Sequence, residues 1–307
     1  MFQALLCVAI IGISWVVADD ARTWTSTDGR SLSATYLSSS TDSVELKRAS
    51  DGQTFSLPLA KLSEADRKWV GDRASQPPPP GKPIEGAYAS MMTGEWAMSE
   101  ESGLPFALFG GKELDGEKLY PLVVSLHGRS KNNENGKQLT VFTRSFADPD
   151  RYAKNPCIVF APLAYQPYGG EGIGWSSEPG EKALALIEKL IEELPIDEKR
   201  VYVVGHSMGG FGTCHFMVQD PKLFTAGVAS SGCTGPSSAD VLKKEPLWIH
   251  HAVDDPVVEV KYSQDLAEAM SRSKVFKYTE YETGGHGIAR AVFESDEVHD
   301  WLFSQSD

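Results

Sequence analysis

The run Val201-Tyr202-Val203-Val204-Gly205-His206-Ser207-Met208-Gly209-Gly210 is an apolar strand that passes directly into a Gly-x-Ser-x-Gly turn. Phe211, Phe216 and Met217 then carry the chain on as a helix. A serine on so sharp a strand-to-helix turn takes a strained backbone, and side chains at Gly205 and Gly209 would clash there. The turn lifts the Ser207 hydroxyl to the carboxyl edge of a sheet, where ligands of such folds bind. The following helix aims its N-terminus, with unbonded N–H groups, at the same place. Ser207 is therefore the candidate nucleophile.

Outward from this turn, strand and helix alternate. Apolar, β-branched runs occur at 122–126, 158–161, 201–204, 226–229, 247–249 and 275–281. Near-continuous apolar runs fit strands buried on both faces of a parallel sheet. Residues 178–194 read as a helix with Leu184, Ile187, Leu190, Ile191 and Leu194 on one face. The expectation is an α/β fold, a mostly parallel sheet flanked by helices.

A serine hydroxyl needs a base, and the base needs an orienting acid. Where this turn carries a nucleophile, the chain order is Ser, acid, His. Downstream histidines are His215, His250, His251, His286 and His299. His286 sits in Thr283-Gly284-Gly285-His286-Gly287 just after the last strand, and is the expected base. His299 is placed on a surface helix. His215, His250 and His251 lie in helix or strand. Asp254 and Asp255 compete for the acid. Asp255 is favoured because Pro256 restrains its backbone, which leaves Asp254 as a solvated loop charge. Leu122–Leu126 leads into His127-Gly128-Arg129-Ser130. The amides of Met208 and Arg129 are the expected oxyanion donors, with His127 bracing the loop. Trp175 and His206 are the candidate substrate contacts. For Trp175 a loop anchor in the core is the competing reading.

These residues resemble a known group. Pro121–Gly128, Gln138-Leu139-Thr140, Cys157–Pro162, Gly174-Trp175, Leu194–Asp197, Gly205–Gly210, Asp255–Val258 and Gly285-His286 resemble the predicted-peptidase group of bacterial esterases. That group is close to polyhydroxybutyrate-depolymerase-like and feruloyl-esterase-like α/β hydrolases. The resemblance implies the α/β-hydrolase fold and serine esterase chemistry, with the acid at Asp255 and the base at His286. Many relatives have His-Gly-Ala-Gly where this chain has His127-Gly128-Arg129-Ser130. Most have His-Gly where it has His251-Ala252. A serine peptidase of the same fold, and a binding protein on an inactive hydrolase scaffold, are the alternatives.

The N-terminal part differs. Residues 1–18 read as an export signal, because 5–17 is almost continuously apolar and Val16-Val17-Ala18 suits cleavage. Export implies a secreted or periplasmic protein. Residues 21–73 alternate at strand period over 31–37, 43–47 and 54–57, with Asp28-Gly29 and Asp51-Gly52 as turns. A short helix follows from Ser63 toward Trp69-Val70. The pattern resembles the Sla-homology, SH3-like barrel domain, which implies a binding or spacer module for protein or cell-envelope contact. The proline run within 74–83 reads as a linker to a catalytic part at 84–307.

The 307 residues are 41% hydrophobic and carry a net charge of −13. That balance opposes nucleic acid as a partner, since phosphate binding needs clustered cations. The expected partner is a small-molecule or polymer-linked ester. Covalent catalysis of this kind needs no cofactor, and no cysteine or histidine spacing suggests a metal. Cys157, Cys214 and Cys233 read as small buried residues, with a Cys214–Cys233 bridge left open by export.

Overall fold

The computed structural model describes residues 21–39, 42–74, 81–112, 114, 116–129, 134–164 and 174–306. The expected leader at 1–18, residues 75–80 of the linker and Ser130 lie outside the described residues. The chain divides into two compact units, Met1–Pro79 and Pro80–Asp307.

The smaller unit is a four-stranded antiparallel sheet in the order β1 (Arg22–Thr25), β2 (Ser31–Ser39), β3 (Ser43–Arg48), β4 (Thr54–Pro58), followed by α1 (Glu64–Ala74). Its core follows the period of two: Ala34 and Tyr36 on β2, Val44 and Leu46 on β3, joined by Trp24, Leu62 and Val70. The Arg22 guanidinium lies 4.6 Å from the Trp24 ring and 4.4 Å from the Trp69 ring. It donates to Asp66 Oδ1 at 2.8 Å. A Ser26–Leu62 bridge brings the segment after β4 back to β1.

The larger unit holds an eight-stranded mixed sheet in the order β12-β11-β10-β9-β7-β8-β6-β5. The strands are β5 (Ala97–Glu101), β6 (Leu104–Phe109), β7 (Tyr120–Leu126), β8 (Ile158–Pro162), β9 (Ile196–His206), β10 (Ala226–Ser230), β11 (Leu247–Ala252) and β12 (Phe276–Tyr281). From β12 to β8 every neighbouring pair is parallel. The β5–β6 and β6–β8 pairs are antiparallel. Among the strands of this sheet, β5 and β6 are the two absent from the sequence reading. Their two-residue turn, Ser102-Gly103, has φ of 53° and 77°. Both values match the primed turn that a tight hairpin requires.

Helices cover the sheet: α2 (Val141–Ser145), α3 (Pro149–Lys154), α4 (Glu178–Glu193), α5 (Met208–Gln219), α6 (Ala239–Leu242), α7 (Lys261–Ala269), α8 (Ala289–Phe293) and α9 (Asp296–Phe303). On α4 the buried face is Ala183, Leu186, Ile187 and Leu190. All seven residues of β7 are buried between β8 and β9. Each Val or Leu so buried contributes about 1.5–3 kcal/mol.

One expectation needs correction here. His299 is buried rather than on the surface, because its ring packs 4.6 Å from Phe146 and Nε2 bonds the Phe293 carbonyl at 2.8 Å. The cysteine reading holds: Cys157, Cys214 and Cys233 are free and buried, and the bridge left open between Cys214 and Cys233 is not formed. Burial raises all three thiols, Cys233 to about 11, so none carries thiolate reactivity.

Candidate active site

Ser207 stands between β9 and α5 with φ 56° and ψ −119°. A non-glycine residue with positive φ is held there only by its surroundings. Those surroundings are backbone. A Cβ on Gly205 would fall 2.2 Å from the Gly209 carbonyl oxygen. One on Gly209 would fall 1.8 Å from that of Leu126. The Ser207 amide donates to Ser230 O at 2.8 Å, which ties the turn to the end of β10.

Because the strands are parallel, the segments after β7, β9, β11 and β12 all leave the same sheet edge. There Ser207 Oγ lies 2.8 Å from His286 Nε2, and His286 Nδ1 lies 2.8 Å from Asp255 Oδ2. With Asp255 ionised, Nδ1–H donates to the carboxylate and Nε2 accepts the serine proton. The His286 side chain is 23% exposed while that of Asp255 is fully buried, so the line runs from the surface inward. Burial by itself would raise the Asp255 pKa. The His286 hydrogen bond and the amides of Val258 and Val257, at 3.0 and 2.8 Å on Oδ1, more than offset it, leaving the carboxyl below its usual range.

Asp254 is exposed, yet it is not merely a solvated charge. Its Oδ1 accepts from the Gly285 amide at 2.7 Å and its Oδ2 from Gly284 at 3.3 Å. These two glycines, at φ 57° and 135°, form the turn that presents His286.

The loop after β7 passes beside the serine. A Cβ on Gly128 would lie 3.4 Å from Ser207 Cβ. His127 Nδ1–H donates to Gly128 O at 2.6 Å, and Nε2 accepts from the Ala164 amide at 3.0 Å. Burial drives its pKa down to about 4, so the ring is neutral and braces the loop. Met208 opens α5, so its N–H has no intrahelical acceptor. Arg129 follows Gly128 in an exposed position. His206 is half-buried with its ring 5.0 Å from that of His286, and Nδ1 is 3.3 Å from Ser230 Oγ. Burial first, and then the His286 charge, lower its pKa to about 4.

Trp175 does not wall a cleft. It is 1% exposed, its Nε1–H donates to His127 O at 3.1 Å, and its ring packs against His127 and Phe216. The tryptophan anchors the loop from below. The apolar side chains exposed near this edge are Val253 and Val257, which flank the two aspartates, and Tyr262, edge-on to Phe211 at 6.4 Å. Sequence reasoning missed His251, which is buried and reaches Asp255 Oδ2 at 3.2 Å.

A model of the prolyl oligopeptidase family matches residues 175–241, a span that includes Ser207. A bifunctional acetylxylan esterase/xylanase of Neocallimastix patriciarum is 29% identical over 145 residues, covering 45% of this chain and 20% of that protein. A solved thermostable esterase is 30% identical, covers 69% of this chain and 63% of its own, and superposes with a TM-score of 0.63. A ferulic acid esterase of Anaeromyces mucronatus, 15% identical, covers 68% of this chain and 90% of its own with a TM-score of 0.53, a likeness of fold. The chain thus spans about a fifth of the curated relative and under two thirds of the thermostable esterase. Strand order, strand directions and these neighbours make the larger unit an α/β-hydrolase fold, similar in sequence to esterases and to part of the prolyl oligopeptidase family.

Proposed function

We propose that the chain is a serine hydrolase that cleaves carboxylic esters through Ser207, His286 and Asp255. The observation that carries this reading is the unbroken line from Ser207 Oγ to His286 Nε2 and from His286 Nδ1 to Asp255 Oδ2, with both links at 2.8 Å. Ser207 Oγ attacks the ester carbonyl as Nε2 takes its proton. The carbonyl oxygen becomes an oxyanion that accepts from the Met208 and Arg129 amides, each donor contributing roughly 3 kcal/mol. The protonated imidazole, held by the Asp255 carboxylate, passes its proton to the leaving alkoxide, which departs as the alcohol. Water, deprotonated by the same nitrogen, then attacks the acyl-serine, and the acid leaves as Ser207 regains its proton.

The apolar side chains of Val257, Tyr262 and Phe211 suit an ester with an apolar portion. The prolyl oligopeptidase match supports a second reading, amide cleavage by the same residues. The smaller unit, with its four antiparallel strands and returning bridge, is read as an SH3-like module for contact with protein or cell envelope. Export through residues 1–18 belongs to the same reading.

The test is turnover of p-nitrophenyl acetate beside a p-nitroanilide. Wild-type protein is expected to hydrolyse the ester faster. Ser207→Ala is expected to lose at least about 1,000-fold in kcat with an unchanged melting temperature. Equal turnover by Ser207→Ala would refute the assignment.

A further inference from the structure

We infer that His251 is a positioning residue for the acid, a second imidazole that donates to the same Asp255 carboxylate oxygen as His286. This rests on the hydrolase reading above and extends it by one shell.

His251 is the last residue but one of β11, and its side chain is fully buried. Its Nε2 lies 3.0 Å from Val258 O and 3.2 Å from Asp255 Oδ2. A carbonyl oxygen can only accept, so Nε2 carries the proton and shares it between the two oxygens. In the neutral ring Nδ1 must then accept. Its partner at 2.7 Å is the hydroxyl of Ser263, also fully buried, on α7. Ser263 Oγ is in turn 3.5 Å from Cys233 Sγ, whose thiol burial keeps protonated. The donors therefore run one way, from the Ser263 hydroxyl through His251 to Asp255. The carboxylate meets four donors: two amides on Oδ1 and two imidazoles on Oδ2.

Such an arrangement has two effects. It fixes the carboxylate's rotation, because each oxygen is held from a different element. It also withdraws negative charge from Oδ2, so Asp255 holds a protonated His286 less tightly than a carboxylate with one imidazole would. Other polar groups around the pair are engaged elsewhere. Glu280, the β12 register partner of His251, accepts from Tyr278 and Gln264; Asp254 binds the Gly284 and Gly285 amides; Lys261 bonds Asp265. His206, on the far side of His286, is neutral above about pH 4.

The experiment follows the rate at which a fluorophosphonate probe labels Ser207, as a function of pH, by intact mass. It compares wild type with His251→Phe, which keeps bulk and removes the donor, and His251→Gln, which restores an N–H at similar reach. His251→Phe is expected to move the acidic limb of the profile up by about half a pH unit and to lower the plateau roughly threefold. His251→Gln is expected to return the limb to its wild-type position. A limb unchanged in His251→Phe, or moved to lower pH as a displaced carboxylate would cause, overturns the inference. Should His251→Phe fail to fold, Ser263→Ala, which frees the ring to take the other tautomer, is judged by the same limb and the same directions. No labelling of wild-type Ser207 would instead sink the hydrolase reading, and the role of His251 with it.

Discussion

Asp254 and Asp255 are adjacent and chemically identical, yet the fold turns them to opposite tasks. Asp255 is driven inward by the pre-proline backbone and by donors on both oxygens. Asp254 stays in water and holds the two glycine amides before His286. Asp254→Ala is expected to lower kcat about tenfold with little change in KM, because the imidazole loses the support of its turn. The melting temperature should move by no more than about 1 kcal/mol of stability would allow. Asp254→Asn, which keeps one acceptor oxygen, should fall between. Steady-state kinetics on p-nitrophenyl acetate decide it; wild-type kcat in Asp254→Ala would show that the turn holds without the clamp. At this scale the legible residues were those whose roles are local. The conformation of Ser207 follows from its own flanking glycines, and Asp255 could be told from Asp254 by the proline beside it. The clamp of Asp254 and the burial of Trp175 depend on partners 30 or more positions away, and the reach of His251 depends on how the turn after β11 folds back on that strand, so no local pattern encodes them.

Among the elements, the strand–turn–helix at Ser207 has the least tolerance. The close approach of Gly209 to Leu126 O pins α5 against the end of β7, and it brings the Met208 amide and the Gly128 loop to one place. Gly209→Ala must displace one backbone from another, since a Cβ there stands 1.8 Å from that oxygen. A loss of about 3 kcal/mol or more is expected, read by urea unfolding. Gly287→Ala is the control, for a Cβ there meets nothing within 4 Å and should cost well under 1 kcal/mol. Equal stability of the two variants would mean the turn relaxes freely. The same logic explains which elements the sequence revealed. Central strands such as β7 and β9 are buried on both faces and read as apolar runs. The β5–β6 hairpin hid because β5, at the sheet edge, alternates half-buried with exposed residues and carries Glu100 and Glu101.

Across the whole molecule, acid is the natural probe, because several buried or half-buried histidines are kept neutral by the fold. Burial lowers His127 to about 4, His206 to about 4 and His250 to about 3, the last with a smaller push from Lys277. In the unfolded chain each returns to about 6.5. Between those values the unfolded state binds more protons than the folded one, so stability must fall as pH falls. The loss begins near pH 6.5 and continues to about pH 4, where the folded rings start to charge. Depressed carboxylates such as Asp255 and Glu280 act in the same direction at still lower pH. Each fully shifted histidine removes up to about 1.4 kcal/mol per pH unit inside the window. Urea unfolding at pH 8 and pH 5 should therefore differ by several kcal/mol, with most of the change below pH 6.5. His127→Gln, although less stable at pH 8, should show a slope shallower by close to one proton, since the residue that titrates has gone. A stability that stays level from pH 8 to pH 5 would mean that these rings reach water in the folded protein and that the neutral brace beneath the Gly128 loop does not exist.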